Sequence, residues 1–106
     1  MYRIKLACLG VPVSAGPAAA TDITAEFAVH RHWHKNVRCS WDGSRLVLDA
    51  ENDYDSNGLA LQDEFSDCIS AYITPLFDGE IRIESVTGGF TICRIAGQRV
   101  FGSSKI

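Results

Sequence analysis

The stretch DYDSNGLALQDEFSDCISAYI, residues 53–73, decides the fold, because it joins a polar turn to an amphipathic helix. Its apolar residues recur at helical spacing and fall on one face of a helix: Leu61, Phe65, Cys68, Ile69 and Tyr72. Polar residues occupy the opposite face, and acidic residues lie early, where the helix dipole favours negative charge. The sequence therefore predicts a helix over residues 60–73 with one buried face.

The turn before this helix matches the calcium-loop pattern of the EF-hand, D-x-[DN]-x-[DN]-G-x5-E. Calcium is a hard cation that takes several oxygen ligands. Alternate side chains of such a loop direct oxygens inward, a glycine makes the sharp turn, and the last acid closes the coordination shell. The predicted ligands are Asp53, Asp55, Asn57, the carbonyl of Leu59, and Glu64.

The surroundings of this loop favour a simpler interpretation. An EF-hand needs a helix before its loop, whereas residues 45–51 are typical of a strand. The ninth loop position is Leu61, which has no side-chain oxygen. Turn-forming residues before a helix commonly cap it. The alternative is therefore a helix-capping turn, with Ser56 or Asn57 as the cap.

Length and composition predict one folded domain over residues 1–106. A chain of this length buries about two-thirds of its unfolded surface, and its 46% hydrophobic and 22% charged residues are ordinary for a globular protein. The net charge is −3, and lysines and arginines are scattered singly, which argues against nucleic acid as a partner. No apolar run approaches the length of a membrane helix, so no membrane partner is expected.

The cysteines predict a reducing location. Cys8, Cys39, Cys68 and Cys93 form no C-x2-C pair, which argues against a zinc ribbon or a redox motif. At least three of them fall on faces assigned to the core, where a free thiol behaves as a small apolar residue. A cytoplasmic location is the simplest expectation, because the apolar run within residues 1–20 is too interrupted by glycine and proline for a secretory signal.

Period-two alternation predicts strands before the helix. Residues 2–9 form a first strand, and residues 10–21, rich in proline, glycine and alanine, form a surface connection. Residues 22–33 are interpreted as a second strand, while their alanines favour a helix as the alternative. In the strand interpretation the residues on one face are Ile23, Ala25, Phe27, Val29 and Trp33.

Turn chemistry predicts two hairpins. In the first, Asp42-Gly43 is a strong two-residue turn signal, which places Cys39 opposite Leu46. In the second, within residues 80–95, a three-residue loop at residues 87–89 places Ile83 opposite Cys93. Two apolar residues then face the other way and suit a homodimer interface: Phe90 and Ile92.

These elements predict an α+β fold, with a mostly antiparallel sheet of five to six strands and one main helix packed on one face. A last short strand is expected at residues 99–101. The apolar residues expected to face the helix are Phe27, Val37, Cys39, Leu46, Leu48, Ile81 and Ile83.

A second chemical signal comes from His30, His32 and His34. Alternate residues of a strand share a face about 6.6 Å apart, and imidazoles placed in this way can share a zinc or copper ion. An acid from residues 49–55 would complete the site of a metal-dependent enzyme. The simpler alternative is a solvated strand end that is rich in histidine.

No other catalytic pattern is present, because the serines form no G-x-S-x-G motif and no glycine loop precedes a phosphate-binding lysine. The sequence therefore favours a small soluble, non-enzymatic binding or protein-interaction domain. Its expected partner is another protein or a second copy of the chain, and the acidic run over residues 49–55 suits a basic protein. The alternatives are a calcium-stabilised domain using residues 53–64 and a metal-dependent enzyme using the three histidines. No cofactor other than calcium is expected.

Overall fold

The computed structural model of the protein describes residues 1–73, 79–88, 91–93 and 98–100. This part of the chain contains two helices and an antiparallel sheet, which confirms the predicted α+β class. Among these residues, no helix is long and apolar enough to cross a membrane. The elements in chain order are β1 (Tyr2–Leu9), α1 (Gly16–His30), β2 (Lys35–Trp41), β3 (Leu46–Asn52), α2 (Leu59–Tyr72), β4 (Glu80–Gly88), β5 (Thr91–Cys93) and β6 (Gln98–Val100).

The four longer strands lie in the order β2-β3-β1-β4, and the short strands β5 and β6 pair with β4. All these neighbours are antiparallel, so β1 is parallel to β2 across β3, and β3 is parallel to β4 across β1. Helix α1 connects the first parallel pair and α2 connects the second. This arrangement is the split βαβ topology.

The core lies between the helices and one face of the sheet. Alternate residues of β1, namely Ile4, Leu6 and Cys8, are fully buried, as are Phe27 of α1 and Phe65 of α2. The residues predicted to face the helix all belong to this core or pack against it: Phe27, Val37, Cys39, Leu46, Leu48, Ile81 and Ile83. The burial of these residues was therefore predicted correctly, although Phe27 belongs to α1 and not to a strand.

Helix α2 begins and ends within one residue of its predicted bounds. It follows Gly58, whose φ of 79° is a left-handed conformation that suits glycine. The N-cap residue is Gly58, not the predicted Ser56 or Asn57. Asn57 still accepts a hydrogen bond from the first helical N–H at 3.0 Å. The buried Asp55 adds a cap that was not predicted, because its two carboxylate oxygens accept the N–H groups of Ala60 at 3.2 Å and Leu61 at 2.9 Å.

Helix α1 overturns two predictions, the surface connection over residues 10–21 and the strand over residues 22–33. The described part of the chain therefore has two helices instead of one main helix. Alanine is the strongest helix former, and Pro17 suits the first turn of a helix. The buried residues recur every three or four positions through both ranges: Gly16, Ala19, Ala20, Ile23 and Phe27.

The β2–β3 hairpin has the predicted faces in a different register. Cys39 pairs with Leu48, two residues beyond its predicted partner, so a longer loop replaces the two-residue turn. The Asp42 carboxylate organises this loop by accepting the backbone N–H groups of Ser44 at 2.9 Å and Arg45 at 2.7 Å. These hydrogen bonds lower the pKa of Asp42 to about 2. Because side chains alternate with a period of two, the shift keeps each one on its predicted face.

The second hairpin also has a different register, because β4 is longer than predicted. Cys93 pairs with Val86 instead of Ile83. Phe90 lies outside the described residues, and only the backbone pairing is described for Ile92. The apolar face of this hairpin therefore stays a prediction. Strand β6 lies one residue before the predicted last strand.

Candidate functional site

The structure places two of the three predicted calcium carboxylates in other contacts. Asp55 caps α2, and Glu64 Oε1 lies 2.8 Å from Nε2 of His34. Among the described residues, no three His, Cys, Asp or Glu side chains form a group that could hold a metal ion. The other predicted ligands lie at the surface or in the first turn of α2: Asp53, Asn57 and Leu59. Calcium binding stays a prediction.

The three histidines do not share a strand, which corrects the predicted common face. His30 is the last residue of α1, His32 lies in the following turn, and β2 begins only after His34. The first two side chains are exposed, whereas His34 is buried. The period-two argument for a shared metal ion therefore fails, because a helix end and a turn replace the expected strand.

His34 forms the centre of a buried polar cluster that the sequence did not predict. Its side chain has no exposed surface. Nε2 lies 2.8 Å from Glu64 Oε1, and Nδ1 lies 3.2 Å from Nδ2 of Asn52. These contacts join the turn after α1 to the end of β3 and to α2. Because the partners are 18 and 30 residues from His34 in the chain, no local spacing reveals them.

The hydrogen bonds assign a role to each ring nitrogen of His34. Oδ1 of Asn52 accepts the backbone N–H groups of Tyr54 at 3.1 Å and Asp55 at 2.8 Å, which identifies Nδ2 as the amide donor. Nδ1 of His34 therefore accepts a hydrogen bond, and Nε2 carries the proton that is donated to Glu64. In this arrangement neither nitrogen is free to bind a metal ion or to accept a substrate proton.

Arg31 extends the cluster along α1. Its Nη1 lies 3.8 Å from Glu64 Oε1, and its Nε lies 3.9 Å from Glu26 Oε2. The guanidinium carbon is 5.8 Å from the centroid of the Phe27 ring, within the range of a cation–π contact. The hydroxyl of Tyr72 donates a hydrogen bond to Glu26 Oε1 at 3.1 Å, which raises the pKa of Tyr72. Charged groups therefore link the two helices.

Two half-exposed aromatic rings lie against the buried imidazole. The ring centroids of Trp33 and Tyr54 are 5.9 and 6.1 Å from that of His34. Phe27 lies on the imidazole from the core, with a centroid distance of 5.6 Å. Trp33 is 47% exposed and Tyr54 is 50% exposed. We call Trp33, His34 and Tyr54 the aromatic site, in which a hydrogen-bonded imidazole supports two accessible rings.

Carboxylates lie near the phenol of Tyr54 in the aromatic site. Burial is the main cause that raises the pKa of Tyr54, and nearby carboxylates raise it further. Hydrogen bonding from the Trp33 indole acts in the opposite direction. The carboxylates concerned are those of Glu64, Asp55 and Asp53.

The predicted acidic run over residues 49–55 is divided between two surfaces. Asp49 and Glu51 alternate with the buried residues of β3, so they lie on the sheet face away from the helices. There they are opposite Lys5 and Arg3 of β1, which offset their charge. The later acids of the run follow β3 and lie beside the aromatic site.

The cysteines with described side chains are core residues, as predicted. Burial raises the pKa of Cys8 and Cys39 to about 12 and that of Cys68 to about 11. Because the thiolate is the reactive form of cysteine, these three thiols are unsuited to nucleophilic catalysis.

Comparisons of the chain with protein-family models, curated proteins and solved structures give no match. A split βαβ topology is compatible with many functions. The chemistry of the aromatic site is therefore the basis for a functional proposal.

Proposed function

We propose that the protein is a small, non-enzymatic interaction domain that binds a protein partner at the aromatic site. The supporting observation is the pair of half-exposed rings, Trp33 and Tyr54, held on a buried and hydrogen-bonded histidine. Tryptophan and tyrosine are enriched at interfaces, and they carry a large share of the binding energy there. Such rings offer a large contact area with few rotatable bonds.

The support beneath the rings favours binding over catalysis. Both nitrogens of His34 are engaged, by Asn52 and by Glu64. A base with no free nitrogen is poorly suited to proton transfer, whereas a fixed ring reduces the conformational entropy that binding would otherwise remove. The hydrogen bonds thus fix the imidazole against which the rings of Trp33 and Tyr54 lie.

The experiment compares proteins captured by the immobilised wild type with those captured by Trp33→Ala and Tyr54→Ala. Val13→Ala is the matched control, because Val13 is an exposed apolar residue outside the aromatic site. A partner retained by the control and lost by both ring variants is then purified, and its affinity is measured by calorimetry. We expect each ring variant to weaken binding by about thirtyfold or more.

Circular dichroism establishes that each ring variant is folded. The proposal is wrong if the purified partner binds the folded ring variants as tightly as it binds the wild type. A second copy of the chain, bound through the same rings, is the competing occupant of the site. A concentration-dependent mass in light scattering that Trp33→Ala abolishes would identify a second copy as the partner.

A further inference from the structure

We infer that the partner of this domain presents a basic segment, and that a lysine or arginine side chain of this segment binds against the rings of Trp33 and Tyr54. This inference rests on the proposed function and adds the chemical class of the ligand. It is carried by three observations: the half-exposed rings of Trp33 and Tyr54, the carboxylates near the Tyr54 phenol, and a cation–π contact between Arg31 and the buried ring of Phe27 beneath the site.

Aromatic faces attract cations. A guanidinium or ammonium within about 6 Å of a ring centroid is drawn to the negative face of the ring, and tryptophan is the best of the aromatic residues. About half of the surface of Trp33 and Tyr54 is accessible. The cluster already contains one contact of this kind, because the Arg31 guanidinium lies 5.8 Å from the centroid of the Phe27 ring.

The charge around the rings favours a cationic ligand. The carboxylates of Glu64, Asp55 and Asp53 act on the Tyr54 phenol, and Arg31, at 3.8 Å from Glu64, offsets part of this negative charge. Asp53 is exposed and adjoins Tyr54 in the chain, where it can pair with a cation held on the ring. Asp53 would repel an anionic segment, whereas Glu64 is paired with Arg31 and His34 and Asp55 is buried at the start of α2.

The charges also predict the kinetics of binding. Charge complementarity raises association rates, and salt screens exposed charges beyond about 8 Å at physiological ionic strength. A basic segment should therefore bind faster and more tightly at low salt. A segment bound only through apolar contacts should show little change.

Two acetylated peptides serve as probes, one alternating glycine with arginine and the other alternating glycine with glutamate. NMR follows the indole N–H signals of both tryptophans during titration. We expect the arginine peptide to shift the signal of Trp33, with weaker binding as salt rises, and the glutamate peptide to leave it unchanged. Trp41 is the internal control, because it packs against the core.

Asp53→Asn tests the charge, and Asp49→Asn is its control, because it removes the same charge from the sheet face away from the helices. We expect Asp53→Asn to weaken binding of the arginine peptide several-fold and Asp49→Asn to change it little. Equal responses to both peptides would overturn the cationic ligand. If a captured partner still depends on Trp33 while salt and Asp53→Asn leave its affinity unchanged, the cationic ligand is wrong and the interaction domain stands. A captured partner that binds Trp33→Ala as tightly as the wild type would overturn both the cationic ligand and the proposed interaction site.

Discussion

Asn52 satisfies three polar groups with one amide, since Oδ1 accepts two backbone N–H groups and Nδ2 donates to His34. Asn52→Ala would leave two buried groups without these partners, the N–H of Asp55 and Nδ1 of His34, and it would also remove the partly buried hydrogen bond to the N–H of Tyr54. Each unsatisfied group costs about 1–3 kcal/mol, so we expect the free energy of unfolding, measured by urea denaturation, to fall by about 3 kcal/mol or more. Asn57→Ala is the control, because it removes one exposed hydrogen bond at the start of α2. Equal losses in the two variants would contradict the central role of Asn52.

The buried thiols make the free energy of unfolding depend on pH in the alkaline range. Burial raises the pKa of Cys39 from 9.0 to about 12. The unfolded chain therefore releases this proton at a lower pH than the folded chain, and the unfolded state is favoured as pH rises through that interval. The contribution of the protonated Cys39 thiol to the free energy of unfolding is fully present below pH 9 and is lost towards pH 12.

We expect the urea midpoint to fall over this alkaline interval, and to fall less steeply in Cys39→Ala, which lacks the ionising thiol. The tyrosines with raised pKa values, Tyr54 and Tyr72, are present in both proteins and contribute equally. The same pH dependence in both proteins would show that this thiol does not ionise on unfolding.

For single residues, the sequence predicted burial better than it predicted hydrogen-bond partners. Cys8, Cys39 and Cys68 are buried as expected, because their positions follow from the periodicity of their own elements. The pair of His34 and Glu64 could not be predicted in this way. It forms only when the turn after α1 meets α2, and that meeting depends on the packing of two distant segments.

Among the elements, α1 shows why periodicity failed. Ile23 and Phe27 lie four residues apart, a spacing that shares a face both in a strand and in a helix. Ala25, midway between them, fits either pattern. The helix is distinguished by Pro17 and by the pair Ala19 and Ala20, which extend the spacing in the N-terminal direction. Helix α2 is less ambiguous, because Leu61, Phe65, Cys68 and Ile69 share a face only at helical spacing. Tyr72, predicted on the same face, is 41% exposed.

The packing of α1 on β2 gives a further prediction. A methyl group added at Gly16 would overlap the indole ring of Trp41. Overpacking costs about 1–3 kcal/mol, which exceeds the gain of up to about 1 kcal/mol in helix propensity. We therefore expect Gly16→Ala to lower the melting temperature by several degrees.

A double-mutant cycle with Trp41→Leu tests the cause. If the overlap is responsible, the cost of Gly16→Ala should be smaller in the Trp41→Leu background, which gives a coupling energy between the two sites. Additive effects would show that the helix start is sensitive for another reason.

The connection between β3 and α2 contains most of the predicted calcium ligands. Asp55 and Glu64 are engaged in other contacts, so we expect no change in the melting temperature of chelator-treated protein on adding calcium. A ligand at about 100 times its dissociation constant stabilises by roughly 2.7 kcal/mol. A corresponding rise in the melting temperature that Asp53→Asn abolishes would establish the loop as a calcium site.

For the molecule as a whole, substitution of Phe65 tests whether both helices and the sheet share one hydrophobic core. It is fully buried in α2, within the cluster shared by both helices and the sheet. Removing such a ring costs about 3–5 kcal/mol, a large part of the 5–15 kcal/mol typical of a domain. We expect Phe65→Ala to unfold the protein nearly completely at room temperature in circular dichroism. Ser70→Ala, at an exposed position of the same helix, should melt like the wild type. A parental melt for Phe65→Ala would contradict the assigned core.

The strand order was the least predictable feature at this scale. Faces and turns follow from neighbouring residues, whereas the position of β1 between β3 and β4 depends on pairings between distant residues. Tyr2, for example, pairs with Asn52 on one side and with Gly88 on the other. A residue pattern within β1 reports that the strand is half-buried, but it carries no information about which strands flank it.

The central position of β1 has a consequence for biosynthesis. Strand β1 leaves the ribosome well before its second partner, β4, which follows it by about 70 residues, from Leu9 to Glu80. Translation proceeds at about 5–20 residues per second, so Ile4 and Leu6 are synthesised on the order of ten seconds before that partner. The nascent chain therefore has an unpaired apolar strand edge during this interval, and we expect a chaperone that binds unfolded chains to raise the yield of folded protein.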